Sequence, residues 1–360
     1  TDTIELYGEA LLNRRETYVN SYRQYWIYMY NGESLWGAYP DPFAAGWGGM
    51  NELSPTPITD HNDSSVSVDY QRFVAGLRGD TLFGLDTWSW DLALQSSRSE
   101  GEYWNQRIYA DAIYDQYYRS ASCVGTVTSI RGAPCVDVDW LDPELLRGNV
   151  PDDVAEYAFG EETGRTIYEQ LSFEAVANGE VFDLPAGPVA MAIGIHYRED
   201  SIDDTPGELT LSNNVWNSSV AGITTGSDTT QAAFGEISIP LLADSRFADS
   251  LELTLSGRYT DVDSYGSGET YKVGLNWAIN DVVRFRATHG TSFRTPALFE
   301  LYLSNQTGFL SQRSIDPCVN WAGNLATNVI SQRVADNCAA DGIPDNLSGS
   351  GASATIVTGG

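Results

Sequence analysis

The sequence predicts an all-β protein, an antiparallel up-and-down transmembrane β-barrel of which about nine strands are present. Three observations carry this expectation. Strand-length runs alternate between apolar and polar residues, long cations inside those runs keep to one parity, and the connections between runs differ systematically in length.

The alternation is densest between Asp249 and Phe293. Leu251, Leu253, Leu255 and Tyr259 fall on one parity, and Glu252, Thr254, Ser256 and Arg258 on the other. After the turn at Gly266, Tyr271, Val273, Leu275 and Trp277 alternate with Thr270, Lys272, Gly274 and Asn276. Val283, Phe285 and Ala287 then alternate with Arg284, Arg286 and Thr288. A period of two marks a strand with two unlike faces. Arg258, Lys272, Arg284 and Arg286 all lie opposite the apolar residues, which makes them candidate lumen-lining residues if the apolar face meets lipid. A soluble sandwich would give the same alternation, with the cations in bulk water. Tyr259, Tyr271 and Trp277, near strand ends on the apolar parity, sit where an aromatic girdle would lie.

The totals suit this class. There are 20 Tyr, 10 Trp and 34 Gly, a mixture fitting aromatic belts and many turns. A formal net charge of −29 argues against nucleic acid as a partner, because a polyanion would be repelled. No run approaches the roughly eighteen apolar residues of a spanning helix. Val189 to Ile195 is among the most apolar stretches and is far too short, so a membrane crossing would use strands closed into a barrel. Thr1 opens the sequence without a leader and Gly360 ends it in a Gly/Ser-rich stretch, so it reads as a segment of a longer protein.

In chain order, the first strand is predicted at 4–18 and the second at 66–78. The third, at 86–98, sets Trp88, Trp90, Leu92 and Leu94 against Ser89, Asp91, Ala93 and Gln95. The fourth is predicted at 166–178, followed by a reversal at Pro185-Ala-Gly-Pro188. The fifth sets Val189, Met191, Ile193, Ile195 and Tyr197 against Ala190, Ala192, Gly194, His196 and Arg198. The sixth is predicted at 231–240, and the meander supplies the last three. Long segments at about 19–65, 99–165, 199–230 and 294–360 follow odd-numbered strands, whereas even-numbered strands are followed by short turns; the brief gap after the seventh is the exception. Segregated loop length of this kind belongs to an outer-membrane barrel with long extracellular loops.

Cys123, Cys135, Cys318 and Cys338 lie in two of these long segments as two locally spaced pairs, which favours disulfides outside the cell. No Cys-x-x-Cys or His-Glu-x-x-His spacing suggests a metal, and no nucleophile elbow or phosphate loop is present. His61, His196 and His289 are scattered, so no enzymatic role and no cofactor are expected. The acidic run from Asp137 to Glu144 offers hard oxygen ligands for Ca²⁺ but reads better as a solvated acidic turn. In the first long segment, Tyr22, Tyr25, Trp26, Tyr28, Tyr30, Trp36, Tyr39, Phe43 and Trp47 form an aromatic cluster. Tyr25, Trp26, Tyr28, Trp36, Tyr39 and Trp47 are the candidate ligand contacts, since flat apolar rings suit sugars and aromatic chelators. Packing of the loop itself is the competing use of the same rings.

The stretch from Val283 to Tyr302, with Ser292-Phe-Arg-Thr-Pro296 at its centre, resembles the barrel of TonB-dependent receptors of the Gram-negative outer membrane. Leu6-Tyr-Gly-Glu-Ala10, Leu184-Pro-Ala-Gly-Pro188 with the strand through Arg198-Glu-Asp200, and Gly235-Glu-Ile-Ser-Ile-Pro240 are similar to that family in the same order. The resemblance implies an importer that binds a scarce ligand such as a siderophore, cobalamin or an oligosaccharide, with outer-membrane lipid and the TonB complex as partners. It implies a plugged barrel of about 22 strands. The TonB box, the plug domain and the closing C-terminal strands are expected outside this stretch. A passive porin or adhesin barrel, and a secreted soluble β protein that binds glycans, remain as alternative readings.

Overall fold

The computed structural model describes residues 4–30, 52–119, 121–304, 306–349 and 353–358. Nine strands form one antiparallel sheet: β1 (Ile4–Val19), β2 (Ser64–Gly79), β3 (Trp88–Ile108), β4 (Phe159–Leu184), β5 (Gly187–Thr205), β6 (Thr224–Ser245), β7 (Ala248–Val262), β8 (Gly266–Ala278) and β9 (Arg284–Gly290). Each pairs with its neighbours in sequence, and β1 and β9 are the edges, so the sheet is an unclosed length of barrel wall. Residues 80–87, 185–186, 246–247 and 279–283 make short turns at one end, and 20–63, 109–158 and 206–223 make long connections at the other. Residues 263–265 are the short connection at the long end, as the sequence indicates.

In-register partners project to the same side of a sheet. On the apolar parity, Leu6, Leu77, Leu92, Ala175, Ile195, Ala233 and Tyr259 form one row across β1 to β7. Two residues nearer the short turns, Trp90, Ala177, Ile193, Gly235, Gly257 and Tyr271 form the next. Ile195 is 53 % exposed and Phe285 57 %, and Ile193 and Val273 are exposed as well. None of them turns into a dry centre, which is what a sandwich would require. An exposed apolar face of this extent is stable in hydrocarbon, whereas in water it would be an aggregation surface.

The strands run further than their alternation predicts. Ser99–Ile108 and Phe159–Arg165, expected in a long segment, pair with each other or with flanking strand residues from Ser99↔Tyr168 to Ile108↔Phe159. Residues 199–205 and 224–230 likewise belong to β5 and β6. The reason is physical. Beyond Leu171 and Tyr197 the face that carried apolar residues becomes charged, with Arg98 bonded to Glu169 and Glu100, Arg165 to Glu100, and Arg14 lying 3.9 Å from Asp69. The backbone ladder continues while the two-tone pattern that announces a strand disappears. At about 3.3 Å per residue and a tilt near 45°, the 26 residues of β4 rise roughly 60 Å, about twice a hydrocarbon core. The surplus stands above the bilayer on the side of the long connections. In the opposite sense, the last strand ends at Gly290, before the Ser292 to Pro296 motif.

Aromatic residues bound the apolar band. At the short-turn end the indole N–H groups of Trp88, Trp90 and Trp277 donate to the carbonyls of Glu180, Thr81 and Phe247 at 2.8, 2.9 and 3.0 Å. An indole with its ring in lipid and its N–H on a backbone carbonyl near the strand ends fits a membrane interface. Phe73, Phe173, Tyr197 and Tyr259 stand toward the other boundary. Replacing Ile193 by Arg, in mid-band, should destabilise the folded barrel by about 2–4 kcal/mol, while Arg at Thr254 on the polar parity should cost far less. Urea titration of the complete barrel in lipid vesicles measures the difference, and equal costs at both positions would refute the assignment of faces.

Candidate functional site

The buried core lies above the sheet. Tyr25, Ile27 and Met29 from the first connection, Ile108 at the end of β3, Ala112 and Ile113 of helix α1 (Ala110–Tyr114), Trp140, Leu145 of α2 (Pro143–Leu146), Val154 and Tyr157 of α3 (Asp152–Ala158), and Trp216 pack into one apolar cluster. Backbone bonds stitch the three connections together. Ala110 N–H donates to Asn214 O at 3.1 Å, Trp216 N–H to Ile108 O at 2.8 Å, and Tyr118 N–H to Tyr28 O at 2.7 Å. The predicted disulfides are present: Cys123 bonds Cys135 inside this cap, with Cα atoms 5.7 Å apart. Cys318 bonds Cys338, tying the turn before the helix Trp321–Ala326 to the helix Gln332–Ala340 in the segment after β9.

Charge pins the cap at two points. Asp111 is fully buried, and its carboxylate accepts from the backbone N–H and the Nε of Arg131, both at 2.9 Å. The same guanidinium donates to Tyr157 O at 2.8 Å and lies 3.5 Å from the Tyr109 ring centre. Desolvation pushes the Asp111 carboxyl up, but the Arg131 N–H, Thr128 and the Arg131 charge outweigh it and hold the carboxyl below its ordinary value. Glu162 of β4 accepts from Arg107 Nε at 2.8 Å and from the backbone N–H and hydroxyl of Thr210 at 2.9 and 2.8 Å. That anchors helix α4 (Glu208–Leu211) against the polar side of the wall.

One flank of the cap carries an aromatic platform. Tyr28 meets the Tyr117 ring edge-on at 5.0 Å and stacks with Tyr118 at 5.9 Å, and Tyr114 meets Tyr117 at 5.3 Å. Tyr114 and Tyr118 are exposed, and Tyr118 holds φ at 55°, a costly backbone region for a bulky residue. Trp26 abuts Trp216 at 4.6 Å, and the Arg23 guanidinium lies 5.1 Å from the Trp216 ring centre.

Below the cap, side chains on the polar parity form a continuous hydrogen-bonded belt across five strands. Arg72 reaches Glu9 at 3.4 Å and donates Nε to Gln95 Oε1 at 2.8 Å. Gln95 donates to Gln170 at 3.2 Å, Gln170 donates to Asp200 at 2.8 Å, and Arg198 Nε lies 2.7 Å from Asp200. Where the belt ends, the segment after β9 folds back over the wall. Arg294, Pro296 and Phe299 with Tyr168, Arg198, Asp200 and Asp228 enclose a cleft of about 440 Å³. Arg294 grips Glu300 with bonds of 2.9 and 2.8 Å, and Tyr302 at the end of α5 (Leu298–Tyr302) donates to Ser227 O at 2.6 Å. Two glycines make the approach possible: a Cβ on Gly268 would lie 2.5 Å from the Phe293 ring, and one on Gly226 2.3 Å from the Tyr302 ring. The Ser292 to Pro296 stretch is therefore fitted to the polar face by its own neighbours.

The family described as TonB dependent receptor-like, beta-barrel, matches residues 18–331. The chain belongs to that family. Its members are outer-membrane receptors of a transporter family, and the open nine-stranded wall is a stretch of such a barrel. No curated protein and no solved structure matches the chain.

Within the receptor wall, Lys272 and Arg286 line one polar cleft, Arg284 lies on the same parity, and Arg258 donates to Thr260 at 3.2 Å over the Phe234 ring. Among the ligand-contact candidates, Tyr28 reaches the platform and Trp26 its margin. Tyr25 differs from the expectation of an exposed ring. It is fully buried between Trp140, Phe159 and Trp216, and burial raises its phenol well above the ordinary value. Trp36, Tyr39, Phe43 and Trp47 lie outside the described residues. The sequence reading missed Tyr114, Tyr117, Tyr118 and Trp216, although a Tyr-rich run in the second long segment is a visible signal. It also missed the belt, because glutamines on alternate positions look like ordinary polar filler. The acidic run is engaged internally: Asp137 accepts from Cys123 N–H at 2.7 Å, Asp139 from Leu141 N–H, and Asp142 caps α2. His61 stacks on Phe159 at 4.8 Å, and His196 lies 3.3 Å from Glu174, so both are held by the receptor's own groups.

Arg131→Ala should loosen residues 109–158 by about 3–5 kcal/mol, since it strands the Asp111 carboxylate in the core. The folded pKa of Asp111 is lowered, so its contribution is complete above the unfolded value near 4 and fades as pH falls through the lower folded value. Hydrogen exchange of the cap between about pH 7 and 3 should show this acid loss, and Asp111→Asn should abolish it; an unchanged acid step in that variant would contradict the pin.

Proposed function

We propose that this chain supplies much of the wall and the outer cap of a ligand-gated importer, which takes a scarce external ligand of the siderophore, cobalamin or oligosaccharide class and moves it inward with energy from TonB. The observation that carries the reading is a folded cap presenting an aromatic platform above a wall that is apolar outside and hydrogen-bonded inside. A diffusion pore has no use for an ordered cap with its own core and disulfide, whereas a receptor that captures a dilute ligand does. The cap faces the cell exterior, where its disulfide persists. Tyr28, Trp26 and their neighbours Tyr114, Tyr117 and Tyr118 make first contact, with Trp36, Tyr39 and Trp47 as further candidates on the same connection. The polar wall, including Arg258, Lys272, Arg284 and Arg286, lines the path, and a plug with its TonB box belongs to the remainder of the protein.

Uptake by cells carrying the complete receptor, with and without TonB, tests this against a panel of ferric chelates, cobalamin and oligosaccharides. One ligand should accumulate in a TonB-dependent way, and Tyr28→Ala or Tyr117→Ala should weaken its binding by roughly tenfold or more. Uptake of every small solute irrespective of TonB would establish a passive pore instead, and recovery of the protein in the aqueous phase without detergent would establish a soluble protein.

A further inference from the structure

The apolar face of the wall is not evenly covered. Toward the short turns β4 carries only Ala175, Ala177 and Gly179 on that face, whereas the level positions carry Leu92 and Trp90 on β3 and Ile195 and Ile193 on β5. These side chains enclose a furrow of about 590 Å³, which Leu82 of the 80–87 turn also lines. β4 has both of its neighbours in place, so the furrow owes nothing to the open edges of the sheet.

Two tethered indoles keep it open. Trp90 is level with Gly79 on β2 and Ala177 on β4, and its ring lies over the glycine, where a Cβ would meet it at 2.7 Å. Its N–H donates to Thr81 O at 2.9 Å, which holds the ring away from Ala177. Trp88 lies against Gly179, where a Cβ would come within 2.4 Å of the ring, and its N–H donates to Glu180 O at 2.8 Å. Trp88 therefore closes the lower end, and Phe173, two residues beyond Ala175 on the same parity, stands at the upper one. From Gly179 to Phe173 the furrow runs about 20 Å along the strand at roughly 3.3 Å per residue. At a tilt near 45° that is roughly 14 Å of depth, about half of a hydrocarbon core. One leaflet, that of the short-turn end, supplies whatever lies in it. Water is excluded at this depth, and an unfilled hollow forfeits dispersion contacts along its walls. The charges at its mouth are acidic: Asp80 and Asp86 on the 80–87 turn, and Glu180 and Asp183 near the end of β4. Arg78, on the polar parity of β2, holds Glu5 at 2.7 Å, and Arg246 sits on the β6–β7 turn, two strands away. An anionic headgroup is repelled here, and an ammonium is attracted.

We propose that the β4 furrow seats one acyl chain of a phospholipid from the leaflet at the short-turn end, and that this lipid bears an amine headgroup, whose ammonium meets the carboxylates beside the 80–87 and 185–186 turns. The lipid is then a retained part of the wall, held between Trp90 and Ile193, while the lipids around it exchange. Such a seat follows from the assignment of faces and holds whether or not the barrel imports anything.

Native mass spectrometry of the complete receptor, folded into vesicles of equimolar phosphatidylethanolamine and phosphatidylglycerol and then moved to a mild detergent, reads which lipid stays bound. One phosphatidylethanolamine per receptor should be retained, favoured roughly fivefold or more over phosphatidylglycerol. Ala177→Phe, which fills the furrow, should cut that retention roughly tenfold, while Leu253→Phe on the same parity of β7 should leave it unchanged. Both variants add apolar bulk toward lipid, where folding tolerates it. Should Ala177→Phe nonetheless fail to give a folded band by heat-modified gel mobility, Ala175→Leu fills the same space with a smaller group and carries the same expectation. Asp86→Asn with Glu180→Gln should erase the headgroup preference while a lipid is still held. A parent that retains no lipid, equal retention of the two lipids or a preference for phosphatidylglycerol would overturn the proposal. So would retention that survives filling of the furrow, or that falls as far in Leu253→Phe. Failure of the importer reading is separate, since it shows as uptake that ignores TonB while the lipid stays bound.

Discussion

A polypeptide in hydrocarbon cannot leave a backbone N–H or C=O unpaired, and a strand meets that demand only by pairing on both sides. This constraint explains the nearest-neighbour order of the nine strands, their short turns at one end and the separate character of their two faces. Once the ladder carries the backbone, the side chains divide by solvent. Leu, Ile, Val and aromatic rings take the outer parity, and carboxylates, amides and guanidinium groups take the inner one. The belt from Glu9 to Arg198 shows the result, because neighbouring strands are joined on the polar side by side-chain bonds as well as by the ladder. The two open edges, β1 and β9, belong to a wall that continues in the complete barrel.

The same constraint moves the apolar core out of the barrel. Where lipid covers the outer face, burial inside the sheet is not needed to stabilise it, and the deepest side chains, Tyr25, Ile27, Ile113, Trp140 and Trp216, lie in the cap. In water the cap has to fold as any small domain does, through a core, a disulfide and a buried ion pair. Its attachment to the wall through Glu162 and Thr210 gives it a fixed place over the polar side. Packing in the cap sets Tyr28 against the rings of Tyr117 and Tyr118, and Tyr114 against Tyr117.

Much of the barrel was legible in the sequence, and for a definite reason. Val189 to Tyr197, Leu251 to Tyr259 and Tyr271 to Trp277 alternate because two solvents act on the two faces, and the register confirms that these residues share rows. The signal fails where the solvents become alike. Ser99 to Ile108 and Phe159 to Arg165 have water on both sides, so charged and polar residues occupy both parities and the strands look like loop. The cap was legible only in fragments. The cysteine pairs were visible from spacing, but the Asp111 and Arg131 pin joins residues that no local pattern relates, and Tyr25 takes the packing role instead of the ligand-contact role because aromatic clusters look alike in sequence whether they bind or pack. The shared parity of Arg258, Lys272, Arg284 and Arg286 was legible in the alternation, and the register places all four on one side of the sheet.

One parity of these strands touches hydrocarbon and the other faces an enclosed aqueous interior. Spin labels placed singly at each position from 251 to 259 of the complete receptor in lipid vesicles test it most directly, through collision with oxygen, which partitions into lipid, and with a water-soluble nickel chelate. Oxygen maxima are expected at 251, 253 and 255 and chelate maxima at 252, 254 and 256. Labels at 251, 253 and 255 that are shielded from both reagents would mean a dry protein core behind the apolar parity, and would contradict it.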